Sequence, residues 1–529
     1  MPSDASSTSA VSCAAAGTAS PPTSAQTDAV VNNAFMLPSL LSASLGRLIM
    51  RIFCYPSLRV YDKDGNRNTF SVAKIEKICA IQGGRMLFAL ALAAALPDAD
   101  ACYAATEEPE AALALAQGLQ GFIYGYPVVD LLKQRHNETS RVAPDQPVAA
   151  PVNRIAIYPH LLTPETQGQL RAANADTLYL NAWLDLSQGP VMLDVPALGA
   201  RYYTLAFMDL YGRPVHLGTR TNGGVARRYA LVGPGATPPP GGEAVMLATD
   251  TVWMLGRVLA TDAADVAAAR ALAQRIRIGA PPGAPVKEAE PLRPFESIAF
   301  FAMLNTALKE LPMRAGEDAL MAQFDAAGFG PSVSFDADAL PPARALGLGC
   351  ALRIGPQVLA RRGFKPTNVR NGWMWSGEMA DPGYDYLLRA EVARGGYVND
   401  PRESIYPAAI TDERGELLTG ERSYRIRFAP GELPPVDAFW SLSAYDRASS
   451  QLVANAIARY SIGDRTVGLV RDADGGLTLR LSATPPPGGT ANWLPVPPGP
   501  FHLVLRLYLP QAAALAGDYA PPPVERVGE

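Results

Sequence analysis

Short apolar runs, each cut off by proline or glycine after a handful of residues, constrain this chain more than any other feature. The sequence carries 46 glycines and 48 prolines, and most of them separate β-favouring segments. Proline removes a ladder donor and glycine supplies turn conformations, so this punctuation builds many short strands joined by turns. Residues 191–195, 202–208 and 228–232 read as consecutive antiparallel strands. A second set lies far downstream, at 424–428, 436–442, 477–481 and 501–509, with Asp474-Gly475-Gly476 as one of its turns.

Between the two sets the hydrophobic period lengthens from two to 3.6. Residues 265–276, 295–311, 317–327, 343–362 and 384–394 carry helical apolar stripes, as does 107–133 ahead of the first strands, where Gly121, Gly125 and Pro127 interrupt the pattern. The expected fold class is therefore α+β and multidomain: two antiparallel β-rich domains, the C-terminal one a sandwich or jelly roll, joined by a helical segment. A length of 529 residues agrees, since it exceeds what one hydrophobic core serves. The expected divisions are a β-rich domain over 106–260, helices over 261–395, a sandwich over 396–515 and a tail over 516–529.

The segment ahead of these domains reads differently. Residues 1–45 are rich in Ala, Ser and Thr without a period, and 1–85 is expected to be a structureless leader or sequence upstream of the true start, at Met50 or Met86. The apolar run 86–96 follows Arg85 and precedes Pro97; it is too short to span a bilayer and fits the core of a signal peptide. Ala99-Asp100-Ala101 offers a cleavage site before Cys102, and a cut after Ala104 or Ala105 is the alternative, so 86–105 is expected to direct export to the periplasm or beyond. A buried Ala/Leu helix is the other reading of the run.

Composition closes several functional classes. With 18% charged residues and a net charge of -4, the chain has no footprint for nucleic acid. Of the five cysteines only Cys350 lies well inside the expected folded region, so no disulfide or cysteine metal site is expected there. None of the four histidines has an i, i+4 partner of the zincin kind, and no cofactor is indicated. No membrane span is expected; unpaired sheet edges point to a homo-oligomer.

Several multi-residue motifs occur in a definite order. Asn174-Ala175-Asp176-Thr177-Leu178-Tyr179, Arg201-Tyr202-Tyr203, Asp209 and Gly233-Pro234-Gly235 resemble the bacterial domain of unknown function 1254. Tyr406-Pro407, Phe439-Trp440-Ser441, Tyr445-Asp446, Arg459-Tyr460, Asn492-Trp493-Leu494-Pro495 and Arg506-Leu507-Tyr508-Leu509-Pro510 resemble its usual partner, the domain of unknown function 1214. The resemblance covers most of 110–515 and implies two β-rich domains joined by helices, in exported bacterial proteins. It implies no reaction.

The same motifs hold the candidate site. Asp176 and Asp209 are the expected catalytic carboxylates, suited to acid/base work, with Asp185 as a further candidate; the alternative is that they cap turns. Asn174, Tyr179, Arg220 and Trp493 are the expected binding residues, with Arg220 in a polar turn and Trp493 in a loop over the domain junction. Arg506, between Leu505 and Leu507, reads as a strand residue in a structural pair. The resulting expectation is an exported enzyme that works by hydrolysis or other acid/base chemistry on a small polar molecule or glycan, in a cleft between two β domains. A noncatalytic ligand-binding or envelope-associated module is the alternative.

Overall fold

The computed structural model of the chain describes residues 58–61, 67–70, 96–142, 149–168, 172–362, 365–376 and 379–528. The chain divides into two units, 1–90 and 91–529. In the first, β1 (Leu58–Tyr61) pairs antiparallel with β2 (Arg67–Phe70), a strand pair inside the stretch expected to be structureless. The Ala/Ser/Thr-rich residues 1–45 and the signal-peptide run up to residue 95 lie outside the described residues.

The second unit contains both expected β domains. The first is built from β3 (Ala156–Ile157), β4 (Thr177–Asp185), β5 (Val191–Val195), β6 (Tyr203–Met208), β7 (Pro214–Gly218), β8 (Arg227–Val232), β9 (Glu243–Met246), β10 (Thr251–Leu259) and β11 (Arg277–Gly279). They form a five-stranded antiparallel sheet in the order β3-β4-β10-β6-β7 and a four-stranded sheet in the order β11-β5-β8-β9. Side chains alternate across a strand, and here both faces of the larger sheet are buried. Leu178, Leu180, Ala182 and Leu184 of β4, with Val252, Met254 and Val258 of β10, face the smaller sheet and make the sandwich core. The intervening residues, Tyr179, Asn181 and Trp183 on β4 and Trp253, Leu255 and Arg257 on β10, point the other way. The register pairs them as Tyr179↔Arg257, Asn181↔Leu255 and Trp183↔Trp253.

The C-terminal domain follows β12 (Asn368–Arg370), β13 (Trp373–Trp375), β14 (Ser404–Ile405), β15 (Ala408–Ala409), β16 (Ser423–Phe428), β17 (Val436–Asp446), β18 (Ile462–Gly463), β19 (Leu477–Ser482), β20 (Trp493–Pro495), β21 (Phe501–Pro510) and β22 (Glu525–Val527). A seven-stranded sheet in the order β12-β13-β15-β21-β17-β18, with β14 also on β21, packs on a four-stranded sheet in the order β20-β19-β16-β22. Phe501, Leu503, Leu505 and Leu507 of β21 and Trp440, Leu442 and Ala444 of β17 fill the space between them. Their alternate residues turn outward again, and the register sets Ser441 opposite Arg506 and Phe439 opposite Tyr508. The fold is thus α+β and multidomain, with two β sandwiches that each bury a second sheet face.

Helices cover what remains. The long helix Pro109–Thr139 starts with Pro109 at its first position and the Glu108 carboxylate capping the Ala111 N–H. It runs on past Pro127, where an interior proline costs about 3 kcal/mol. Packing offsets that cost: Phe122, Tyr124 and Val129 pack with Phe300, Phe301, Leu304, Leu348 and Leu352 from the later helices Ala299–Glu310 and Pro342–Arg362. Sequence order assigns this helix to the first β domain; its packing joins it to the middle helices. Its far end reaches the outward face of β4, where Glu138 accepts 2.8 Å hydrogen bonds from Asn181 Nδ2 and Trp183 Nε1.

One cysteine expectation is overturned. Cys102, in the helix Ala99–Ala104, is disulfide-bonded to Cys350, with 5.4 Å between their Cα atoms and 248 residues between them in sequence. Residue 102 abuts the expected cleavage site, outside the region expected to be folded, and sequence does not show that this short helix lies against Pro342–Arg362. Among the described residues, no helix is long and apolar enough to cross a membrane.

Candidate functional site

The outward faces of β10 and β21 enclose, together with the segment leading into β14, a cavity of about 320 Å3. Tyr179, Trp253, Leu255 and Arg257 line it from the first sandwich; Ser404, Ile405, Tyr406, Ala408, Val504, Arg506 and Tyr508 line it from the second. Tyr397, Asn399 and Asn174 are also among the residues that line it. A site between domains, mostly apolar and with a few converging polar groups, is the usual form of a small-molecule pocket, although this one is at the small end of the range of about 300–1,000 Å3.

The polar groups are held in place by a defined network. Arg257 donates to Asn399 Oδ1 at 3.2 Å and lies over the Tyr179 ring, 5.4 Å from its centroid. Asn399 Nδ2 donates in turn to the Tyr406 hydroxyl at 2.6 Å and to Ser404 Oγ at 3.0 Å. Arg506 is 3% exposed and donates to Ser443 Oγ at 3.2 Å, to the Tyr445 hydroxyl at 2.6 Å and to the carbonyl of Ala172. Burial holds the Tyr508 phenol well above its ordinary range.

The predicted site residues divide between this cavity and other places. Asn174 and Tyr179 are at the cavity. Asn174 Oδ1 accepts from the backbone N–H groups of Asp176 and Thr177 and from Thr177 Oγ1, all at 3.0 Å, while its Nδ2 donates to the Tyr179 hydroxyl at 3.1 Å. It caps the entry to β4 and aims Tyr179. Asp176 does not line the cavity. Its oxygens accept from Ser441 Oγ at 2.7 Å, Ser461 Oγ at 2.9 Å and Arg465 Nη2 at 3.1 Å, which ties one sandwich to the other. Asp209 closes the β6–β7 turn, accepting from the N–H groups of Tyr211 and Arg213 and from the Arg213 side chain, each at 2.9 Å.

Arg220 pairs with Glu403 at 3.1 Å, and Glu403 also accepts from the Tyr202 hydroxyl at 2.8 Å; this too is a contact between the sandwiches. Trp493 lies in β20, not in a junction loop, and donates from Nε1 to the carbonyl of Ser482 at 3.0 Å. Asp185 accepts from Ser187 and borders a separate hollow of about 460 Å3 in the first sandwich. Arg257, Asn399, Ser404 and Tyr406 were missed as site residues, and Arg506 was read only as structural. Alternation along β10 and β21 could have placed Arg257 and Arg506 opposite the core residues of their strands.

Two family models match the chain, each described as a protein of unknown function: DUF1254 over residues 152–280 and DUF1214 over 403–512. The chain carries the DUF1254–DUF1214 pair. The DUF1254 match spans the first sandwich and the DUF1214 match the core of the second, so the cavity lies at the junction of the two. The crystal structure of the VPA0106 protein from Vibrio parahaemolyticus is similar, with a TM-score of 0.58 at 22% identity over 78% of this chain and 100% of that one. That likeness speaks for the fold alone. An uncharacterised protein from Burkholderia cenocepacia aligns over 78% of this chain and 98% of its own, at 14% identity and a TM-score of 0.37. No curated protein matches.

Proposed function

We propose that the DUF1254–DUF1214 junction binds a small organic molecule, in a protein exported to an oxidising compartment. The observation that carries the binding reading is the cavity itself, walled by both sandwiches and fitted with converging polar groups from Arg257, Asn399, Tyr406 and Arg506. Binding without acid/base chemistry is favoured over the enzyme reading by the make-up of that wall. Among the described lining residues there is no Asp, Glu or His, and Asp176 and Asp209 are engaged elsewhere. In this reading both carboxylates hold the scaffold, and Asn174 positions Tyr179.

Export is supported by the Cys102–Cys350 disulfide, because such bonds persist in oxidising compartments and are rare in the cytosol. In this reading Cys102 is retained and signal cleavage falls ahead of it, at Ala99-Asp100-Ala101 or earlier. Sequencing the N-terminus of the mature protein tests this; a mature chain starting after Cys102 sinks it.

Ligand binding is tested with a thermal-shift screen of small organic molecules, neutral and charged, on the wild type and on Ala408→Phe. Ala408 lines the cavity, so the added ring fills it. The expected result is at least one compound that raises the wild-type melting temperature and leaves the variant unmoved. A screen in which no compound distinguishes the two proteins overturns the reading.

A further inference from the structure

We infer that the molecule taken up at the junction carries a carboxylate, gripped jointly by Arg257 of the DUF1254 sandwich and Arg506 of the DUF1214 sandwich. This rests on the cavity-binding reading above and adds the chemistry of the ligand.

Four shielded arginines elsewhere in the chain meet an acid, Arg201 with Asp265, Arg220 with Glu403, Arg465 with Asp176 and Arg526 with Asp412, while others, such as Arg154 and Arg459, are satisfied by backbone carbonyls. Among the described residues, Arg257 and Arg506 have no carboxylate within 4 Å. Arg257 gives one hydrogen bond to a neutral amide, leaving Nε and the second Nη without a protein acceptor. Arg506 bonds only to neutral oxygens. Asp176 lies within electrostatic reach of Arg506, but its oxygens are taken by Ser441, Ser461 and Arg465.

Arg389 is the instructive contrast. It too lacks an acid within 4 Å, but the rings of Tyr124, Tyr386 and Tyr211 enclose it at 4.7, 5.0 and 5.5 Å, and it borders neither cavity. Arg257 and Arg506 face a space. Arg506 is buried and Arg257 half-buried, neither with a counter-ion beside it, and an anion held between them supplies one and offsets the desolvation. Guanidinium forks match the planar carboxylate, and Leu255, Ile405 and Val504 supply apolar surface for the body attached to it.

The test is isothermal titration of the wild-type protein with hexanoate, octanoate and phenylacetate, each beside its primary amide. At least one acid is expected to bind roughly 10- to 100-fold more tightly than its amide, the range for hydrogen bonds to a charged group. Arg257→Gln is expected to reduce that preference to near unity, and Arg257→Lys to restore part of it. Arg506→Gln removes a brace on Ala172 and Tyr445 and risks misfolding, so Arg257 carries the test, with circular dichroism as the folding control. Equal binding of acid and amide overturns the inference, and so does an acid preference that survives Arg257→Gln. If no acid binds while the broader screen finds neutral ligands blocked by Ala408→Phe, the carboxylate falls and the cavity reading stands. An empty broad screen removes both.

Discussion

Asp209 shows how a conspicuous carboxylate can be structural. Four donors from a single turn surround it, so a residue that looked catalytic is a turn cap. Asp209→Ala is expected to lower stability by about 1–3 kcal/mol, the cost of leaving those donors unmet. Ligand titrations should be unchanged, and chemical denaturation beside calorimetric titration checks both. His216 behaves differently. Its Nε2 accepts from the Asp400 N–H at 3.2 Å, which leaves the proton on Nδ1 facing Thr204 Oγ1 at 3.1 Å. Burial first, and then the charge of Arg257, push its pKa down to about 3. The unfolded chain takes up a proton near pH 6.5 that the folded state refuses, so this contribution to stability is complete above that pH and declines as the pH falls toward 3. At pH 5 the loss is about 2 kcal/mol. Urea unfolding at pH 7 and pH 5 should show His216→Gln losing that much less on acidification than the wild type. At this scale the sequence was partly legible. The Asn174–Tyr179 motif marked the cavity because capping chemistry is local, whereas the counter-ion of an arginine is settled by which strand lies opposite.

Strand and helix positions were the most legible feature. The run at 191–195 is a strand with the same ends, and the stripes at 265–276, 343–362 and 384–394 are helices trimmed or shifted by at most a few residues. Periodicity reports which residues share a face, but not what that face meets, so the attachment of the helix Pro109–Thr139 to the middle helices was not legible. That attachment depends on close approach. A Cβ on Gly347 would lie 2.3 Å from the carbonyl oxygen of Ala111, which backbone cannot yield, and one on Gly355 would strike the Phe122 ring at 2.3 Å. Gly347→Ala is expected to cost about 1–3 kcal/mol by overpacking, read as a lower melting temperature. The disulfide ties the preceding short helix, Ala99–Ala104, to the same helix Pro342–Arg362. Replacing both cysteines by serine is expected to cost about 2–5 kcal/mol, measured by denaturation against the oxidised wild type. A variant as stable as the wild type would show that packing alone holds the N-terminal segment.

Within residues 91–529 two sandwiches meet by their outward sheet faces, and this arrangement decides what was hidden. Composition and pattern pointed to the fold class, but the apposition of β10 and β21 joins residues some 250 positions apart, which no local period encodes. The interface includes the Tyr202, Phe439 and Tyr508 rings, the Asp176 cluster and the Arg220–Glu403 pair. With so much shared between them, the sandwiches are expected to melt in one calorimetric transition. A ligand at 100 times its dissociation constant should stabilise that transition by about 2.7 kcal/mol; two peaks, with only one responding, would contradict it. The division of the cavity wall has a further consequence for inheritance. Each half contributes one guanidinium and one side of the hollow, so a gene encoding either half alone would make a protein with neither grip nor enclosure. Selection on this site can act only on the two halves together, which gives a physical reason for a lineage to keep them in one reading frame.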